Sequence, residues 1–145
     1  MTTTFWKQVY REKARLEDPI LQSGRGKKYG SLELLKEIHR ALVLLELDSS
    51  HRVLNLGCAN GLFDVALSAC CRQIIGVELI GELAELASQN LSDCSNAFVI
   101  MGAGDAVPMV ADSFDRVLIA EVVQLNPEKI VKRMLHEAAR ILRRP

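Results

Sequence analysis

The sequence predicts a doubly wound parallel α/β sheet on three observations. Helix and strand patterns alternate as helix, strand, helix, strand, helix, strand, loop, strand, helix, an order that builds a parallel sheet with helices on both faces. The strand candidates VLNL, QIIGVEL, NAFVIM and FDRVLIA are short apolar runs, as strands buried on two sides require. The remaining segments repeat apolar residues at three- and four-residue spacing, so each has a face to lay on such a sheet.

At 145 residues, 49% hydrophobic and 25% charged, the chain suits one domain with a true core and excludes a disordered polymer. Eighteen basic residues balance eighteen acidic ones, so no overall field draws it to nucleic acid or an anionic membrane, and neither is an expected partner. No apolar run reaches the roughly 20 residues of a membrane span, and the start MTTTFWKQVYREK is too polar for a secretory signal; the expected location is the cytoplasm. Cys58, Cys70, Cys71 and Cys94 lack C-x-x-C spacing, and His39, His51 and His136 are scattered, which fits reduced, packed thiols and no metal site.

Taking the elements in order, Phe5, Val9 and Leu16, with Trp6 and Tyr10 alongside, have loose helical spacing and predict a short helix lying on the domain. DPILQSGRGKKYGS holds a proline, three glycines and the basic cluster Arg25, Lys27, Lys28. Residues 1–30 therefore read as a helix and a mobile basic loop, which is either a solvated connection or a lid over an anionic group. The domain proper is expected over 31–145. Ser31 can cap a helix to about Leu47 that buries Leu34, Leu35, Ile38, Leu42 and Leu45, with Glu33 favourable in its first turn.

Val53, Leu54 and Leu56 form the next strand, followed by the small-residue turn Gly57, Cys58, Ala59, Asn60, Gly61 and the helix LFDVALSACC. Then come the strand QIIGVEL, a helix from about Gly81 to Leu91, the strand NAFVIM, the polar loop GAGDAVPMVADS and the strand FDRVLIA. The last helix, PEKIVKRMLHEAARILRR, should bury Ile130, Met134, Leu135, Ala138, Ile141 and Leu142, with Asn126 as N-cap and Pro127 at the first helical position.

Three places fall at carboxyl ends of predicted strands, where open α/β sheets bind ligands. The first is the turn from Gly57 to Gly61, where small residues admit a ligand to the backbone and the following helix presents unpaired N–H groups. The second is Glu78, about twenty residues on, the separation at which an acid can take a pair of ribose hydroxyls. The third is Gly104, Asp105 and Ala106. A nicotinamide-binding G-x-G-x-x-G pattern would need glycines at 57, 59 and 62, where the chain has Gly57, Ala59 and Leu62.

On these motifs the chain resembles the class I S-adenosylmethionine-dependent methyltransferases, over roughly Ser31 to Pro145. VLNLGCANG is similar to their glycine-rich first motif, GVELI to the second with its ribose-binding acid, and GDAVPMVADSFDRVLIAE to the adenine-binding loop and fourth strand. Within the family it looks most like the small-molecule enzymes of the ubiquinone and menaquinone biosynthesis type. The resemblance implies a Rossmann-like fold and S-adenosyl-L-methionine as cofactor. It puts Asn55, Gly57, Cys58, Ala59 and Gly61 around the methionine and ribose part, Glu78 on the ribose, and Leu79, Gly104, Asp105 and Ala106 about the adenine.

Two positions depart from the family pattern: Asn55 stands where an acid is usual and Ala59 replaces the middle glycine. An amide can still hydrogen-bond the ligand but brings no charge. After the fourth strand the family places acceptor-side residues, which makes Glu121 the candidate base. Family members continue beyond the last helix with further strands, so the sheet is expected to be truncated here. Three explanations stay open: a fragment of a longer enzyme, a sheet completed by a partner chain or second copy, and a shortened relative that does not catalyse. The expected function is methyl transfer to a small-molecule acceptor, the alternative a non-catalytic interaction module that associates through its exposed sheet edge.

Overall fold

The computed structural model describes residues 3–25 and 30–144. In chain order its elements are α1 (Thr3–Lys13), α2 (Pro19–Gln22), α3 (Ser31–Leu45), β1 (Arg52–Leu56), α4 (Leu62–Ser68), β2 (Gln73–Glu78), α5 (Gly81–Asn90), β3 (Ala97–Met101), β4 (Arg116–Leu118) and, after a 3-10 turn at Val123–Leu125, α6 (Glu128–Ile141). The strands form one parallel sheet in the order β3-β2-β1-β4. This is the expected Rossmann-like arrangement.

Alternation along β1 builds two layers. Val53 packs with Ile38, Ala41 and Leu45 of α3 and with Phe63 and Leu67 of α4. Leu54 and Leu56 point the other way, onto Met134, Ala138 and Ile141 of α6. Each fully buried Leu or Ile contributes about 2 kcal/mol. Exposed ion pairs such as Lys132–Glu128 contribute under about 1 kcal/mol, so apolar burial holds the layers together.

Several local expectations shift. Gly30, not Ser31, precedes the first turn of α3, and the Glu33 carboxylate accepts the Gly30 N–H at 3.1 Å. Leu35 is 61% exposed; Ala41 takes the buried position beside Ile38 and Leu45. At the last helix Pro127 is the cap, while Asn126 Nδ2 donates to the Val122 carbonyl and closes the preceding 3-10 turn. Leu135 also faces outward. Helix α4 ends three residues early because Asn96 Nδ2 donates to the carbonyls of Ser68 and Cys71, holding the chain as it leaves the helix.

The fourth strand is three residues long, not the seven of FDRVLIA. Among the described residues it pairs with β1 alone. Before it, Phe114 turns under the sheet to bridge Leu142. After it, Glu121 takes a left-handed φ of 58° and bends the chain away. A short helix, α2, occupies part of the expected loop, capped by the Asp18 carboxylate, which accepts the Ile20 N–H at 2.8 Å. Lys27 and Lys28 of the predicted basic cluster lie outside the described residues.

Candidate cofactor-binding cleft

Sheet order reverses direction at β1: β2 and β3 lie to one side and β4 to the other. Such a switch point opens a crevice at the carboxyl ends of the strands, and a cleft of about 300 Å³ lies there. The turn after β1 is closed by the Gly57 and Cys58 N–H groups, which donate to the Val77 carbonyl at 2.8 and 3.2 Å. Gly57 has φ +80°, and a Cβ there would come within 2.4 Å of Val122. Only glycine leaves this wall of the cleft open.

Ala59 holds a left-handed φ of 52° without being glycine, a conformation that costs about 1 kcal/mol or more for an L-residue. The structure shows what sustains it: the Ala59 N–H donates to Glu78 Oε2 at 3.0 Å. Glu78 Oε1 accepts the Ile80 N–H at 2.7 Å. The carboxylate thus ties the turn after β1 to the start of α5. Burial pushes the Glu78 pKa above the usual value, against the pull of these amide hydrogen bonds.

Of the predicted residues, Asn55, Gly57, Cys58, Ala59, Glu78, Leu79, Gly104, Asp105 and Glu121 line this one cleft. Gly61 and Ala106 do not. Gly61 sits against Ala87 of α5, where a Cβ would meet Ala87 Cβ at 3.3 Å, so it serves helix packing. Ala106 is exposed and bridges back to Ala103. Asp105 is held by α6, its Oδ2 accepting Arg133 Nε at 2.9 Å. Glu121 lies at the exposed mouth and accepts Gln124 Nε2 at 2.7 Å.

Sequence patterns missed two groups. The first is Asp64, fully buried on α4, whose Oδ1 accepts Asn55 Nδ2 at 2.8 Å. Burial pushes its pKa up to about 7, and the same burial with the nearby Asp64 and Glu78 charges raises the Cys58 thiol well above its usual value. The second is the set of cleft residues in the N-terminal segment. A helix on the domain and a loop that is either a solvated connection or a lid were expected there, but no site residue was named, and Trp6, Lys7, Tyr10, Ser23 and Arg25 all face the cleft. Phe5 and Leu16, whose spacing with Val9 predicted the helix, are 47% and 41% exposed. Burial, then the charges of Glu78 and Glu121, push the Tyr10 hydroxyl pKa up. Helical spacing alone signalled Trp6 and Tyr10 as neighbours, but nothing local says which face is inward.

The cleft suits a nucleoside-bearing ligand: an open glycine wall, a carboxylate at the end of β2, and buried acceptors without protein partners in Asn55 Oδ1 and Asn60 Oδ1. Comparison with known proteins agrees with this chemistry. A family profile described as a methyltransferase domain matches residues 53–145, well over half of the chain. A protein-L-isoaspartate O-methyltransferase of Bradyrhizobium sp. strain BTAi1 is 33% identical over 92 residues, which take in 62% of this chain and 43% of that protein. The chain thus spans less than half the length of this relative.

Among solved structures, the YcgJ protein of Bacillus subtilis superposes with a TM-score of 0.71 at 25% identity, over 76% of this chain and 47% of that one. Phosphoethanolamine N-methyltransferase 1 of Haemonchus contortus, solved with phosphoethanolamine and S-adenosylhomocysteine, superposes with a TM-score of 0.75 at 18% identity, over 99% and 31%. At that identity the likeness speaks to the fold. On the family match, the chain belongs to the methyltransferase domain family, among the class I S-adenosylmethionine-dependent methyltransferases.

Proposed function

We propose that the cleft binds S-adenosylmethionine and that the chain transfers its methyl group to a small-molecule acceptor. The observation that carries this reading is the convergence of the Gly57–Asn60 turn, Glu78 and the Gly104–Asp105 loop around one cleft at the ends of adjacent parallel strands. Glu78 would accept the ribose hydroxyls with the lone pairs its two amide partners leave, the turn would lie along the methionine part, and Leu79 with Asp105 would border the adenine. When bound, this cofactor supplies a methyl group activated by its sulfonium.

The chain's own task is to align donor and acceptor and to keep water out. For a hydroxyl or amine acceptor a proton must also leave, and we assign that proton to Glu121, which lines the mouth of the cleft. The small-acceptor reading is supported by α1, which lays Trp6, Lys7 and Tyr10 along the cleft whose mouth carries Glu121.

Calorimetry with S-adenosylhomocysteine tests the cofactor. Micromolar binding is expected, weakened at least about tenfold by Glu78→Ala, since a carboxylate accepting hydroxyls contributes about 1.5–3 kcal/mol; a folded protein that gives no heat sinks the reading. Labelled S-adenosylmethionine incubated with a fractionated cell extract tests the acceptor. Label in the low-mass fraction is expected, and label confined to protein or RNA overturns a small acceptor.

A second reading, association through the sheet edge, is favoured by β4, whose outer edge has no strand partner among the described residues. It calls for a dimer or larger species in light scattering. A monomer at every concentration counts against it.

A further inference from the structure

Asn60 lies in the cofactor turn, is fully buried, and makes no contact within the three motifs that explains its burial. Its Nδ2 instead donates to the N-terminal segment, to the Pro19 carbonyl at 2.8 Å and to Gln22 Oε1 at 3.2 Å. Both partners are acceptors, so the amide orientation is set by the network. Gln22 in turn donates through Nε2 to the Leu16 carbonyl at 2.6 Å. The segment is closed on itself as well: Lys13 Nζ donates to the Gly24 carbonyl, and the Tyr10 ring rests on Gly24, where a Cβ would come within 2.6 Å of it.

The other end of the Asn60 amide, Oδ1, is buried and has no hydrogen-bond partner among the described residues, yet Asn60 lines the cleft. A buried acceptor left unpaired costs about 1–3 kcal/mol, and a donor group on a bound ligand removes that cost. The main-chain carbonyl of Asn60 is already used by Asn90 Nδ2 at 2.8 Å, so the side-chain oxygen is the group this residue has to offer.

We propose that Asn60 is a positioning residue that joins the two sides of the site. Its Nδ2 fastens segment 3–25 over the cleft, and its Oδ1 takes an N–H or O–H donor from the adenosyl ligand. Ligand binding and docking of the segment then reinforce each other, and by linkage each strengthens the other by the same factor. The consequence is that the wall carrying Trp6 and Tyr10, docked in the free protein by these bonds, is held more firmly when the cofactor is in place. The inference rests on the reading that the cleft binds S-adenosylmethionine or its product.

Trp6 is the only tryptophan of the chain and borders the cleft, so its fluorescence reports on the segment without a label. S-adenosylhomocysteine is titrated into the full chain by calorimetry, and acrylamide quenching of Trp6 is measured with and without saturating ligand. The expected result is that ligand lowers the quenching constant severalfold. In Gln22→Ala, which leaves the cofactor turn itself intact, quenching in the free protein rises and ligand affinity falls by about tenfold, within the usual range for coupled sites. Asn60→Ala should lose affinity further and uncouple quenching from ligand; circular dichroism establishes that it is folded, and Gln22→Ala decides the matter if it is not. Heat of binding with no change in Trp6 quenching overturns the proposal and leaves the cofactor reading standing. Wild-type affinity and quenching in Gln22→Ala do the same. No heat in the wild type overturns both.

Discussion

Asn55 on β1 meets a buried carboxyl from α4: Asp64 Oδ1 accepts Asn55 Nδ2 at 2.8 Å, behind the cleft that Asn55 lines. Burial raises the Asp64 pKa to about 7, so the native state binds this proton more tightly than the unfolded chain, where aspartate titrates near about 4. The group's contribution to stability is therefore full below about pH 4, falls as pH rises, and is lost by passage through about 7. Asp64→Asn removes the titration while keeping an acceptor for Asn55. The variant is expected to gain stability over wild type as pH rises from 5 to 8, by on the order of a few kcal/mol. Thermal melts at the two pH values check this, and a difference that stays constant with pH refutes it. Gly57, Glu78 and Asp105 were legible because strand ends and small-residue turns are local signals; Asp64 was not, because an acid in an apolar helical run carries no mark of the partner it meets.

At the scale of elements, the approach of α4 to β2 depends on Gly76. A Cβ at that position would lie 2.6 Å from both Asp64 Oδ2 and Cys58 Sγ, two groups held by burial and by the turn, so neither can yield. Gly76→Ala is expected to destabilise the fold by about 1–3 kcal/mol, the usual penalty for overpacking, with the loss read from urea unfolding; an unchanged midpoint would show that α4 shifts freely. The loop after β3 owes its place to α6 in a similar way. Glu137 Oε2 accepts the Val107 N–H at 2.8 Å, and Arg140 donates to the Val107 and Met109 carbonyls. Helix α6 thus positions Gly104 and Asp105 as well as covering the sheet. Its amphipathic pattern announced a buried face, and Met134, Ala138 and Ile141 occupy it. The polar contacts of Arg133, Glu137 and Arg140 were silent in the sequence, since each reaches a residue 28 to 33 positions away.

For the whole molecule, the division of labour between body and N-terminal segment follows from the core. Among the described residues neither hydrophobic cluster contains one before Leu34, whereas five residues of segment 3–25 line the cleft. A chain beginning at Gly30 is therefore expected to keep its circular dichroism and a cooperative melt close to that of the full chain, while binding S-adenosylhomocysteine more weakly in calorimetry. Collapse of the shortened chain would show that the segment belongs to the folding unit. No helix among the described residues is long and apolar enough to cross a membrane. The sequence by itself determined the alternation of strands and helices, the parallel sheet and the places where β1, β2 and β3 end. These follow from apolar periodicity and small-residue turns, which act over a few neighbouring residues. Only the tertiary structure decided that β4 is three residues long, that Asp64 answers Asn55, and that α1 turns Trp6 and Tyr10 to the cleft. The physical reason is distance along the chain: the Asn60 bonds to Pro19 and Gln22 span 41 and 38 residues, and no local pattern encodes a contact made by such a closure.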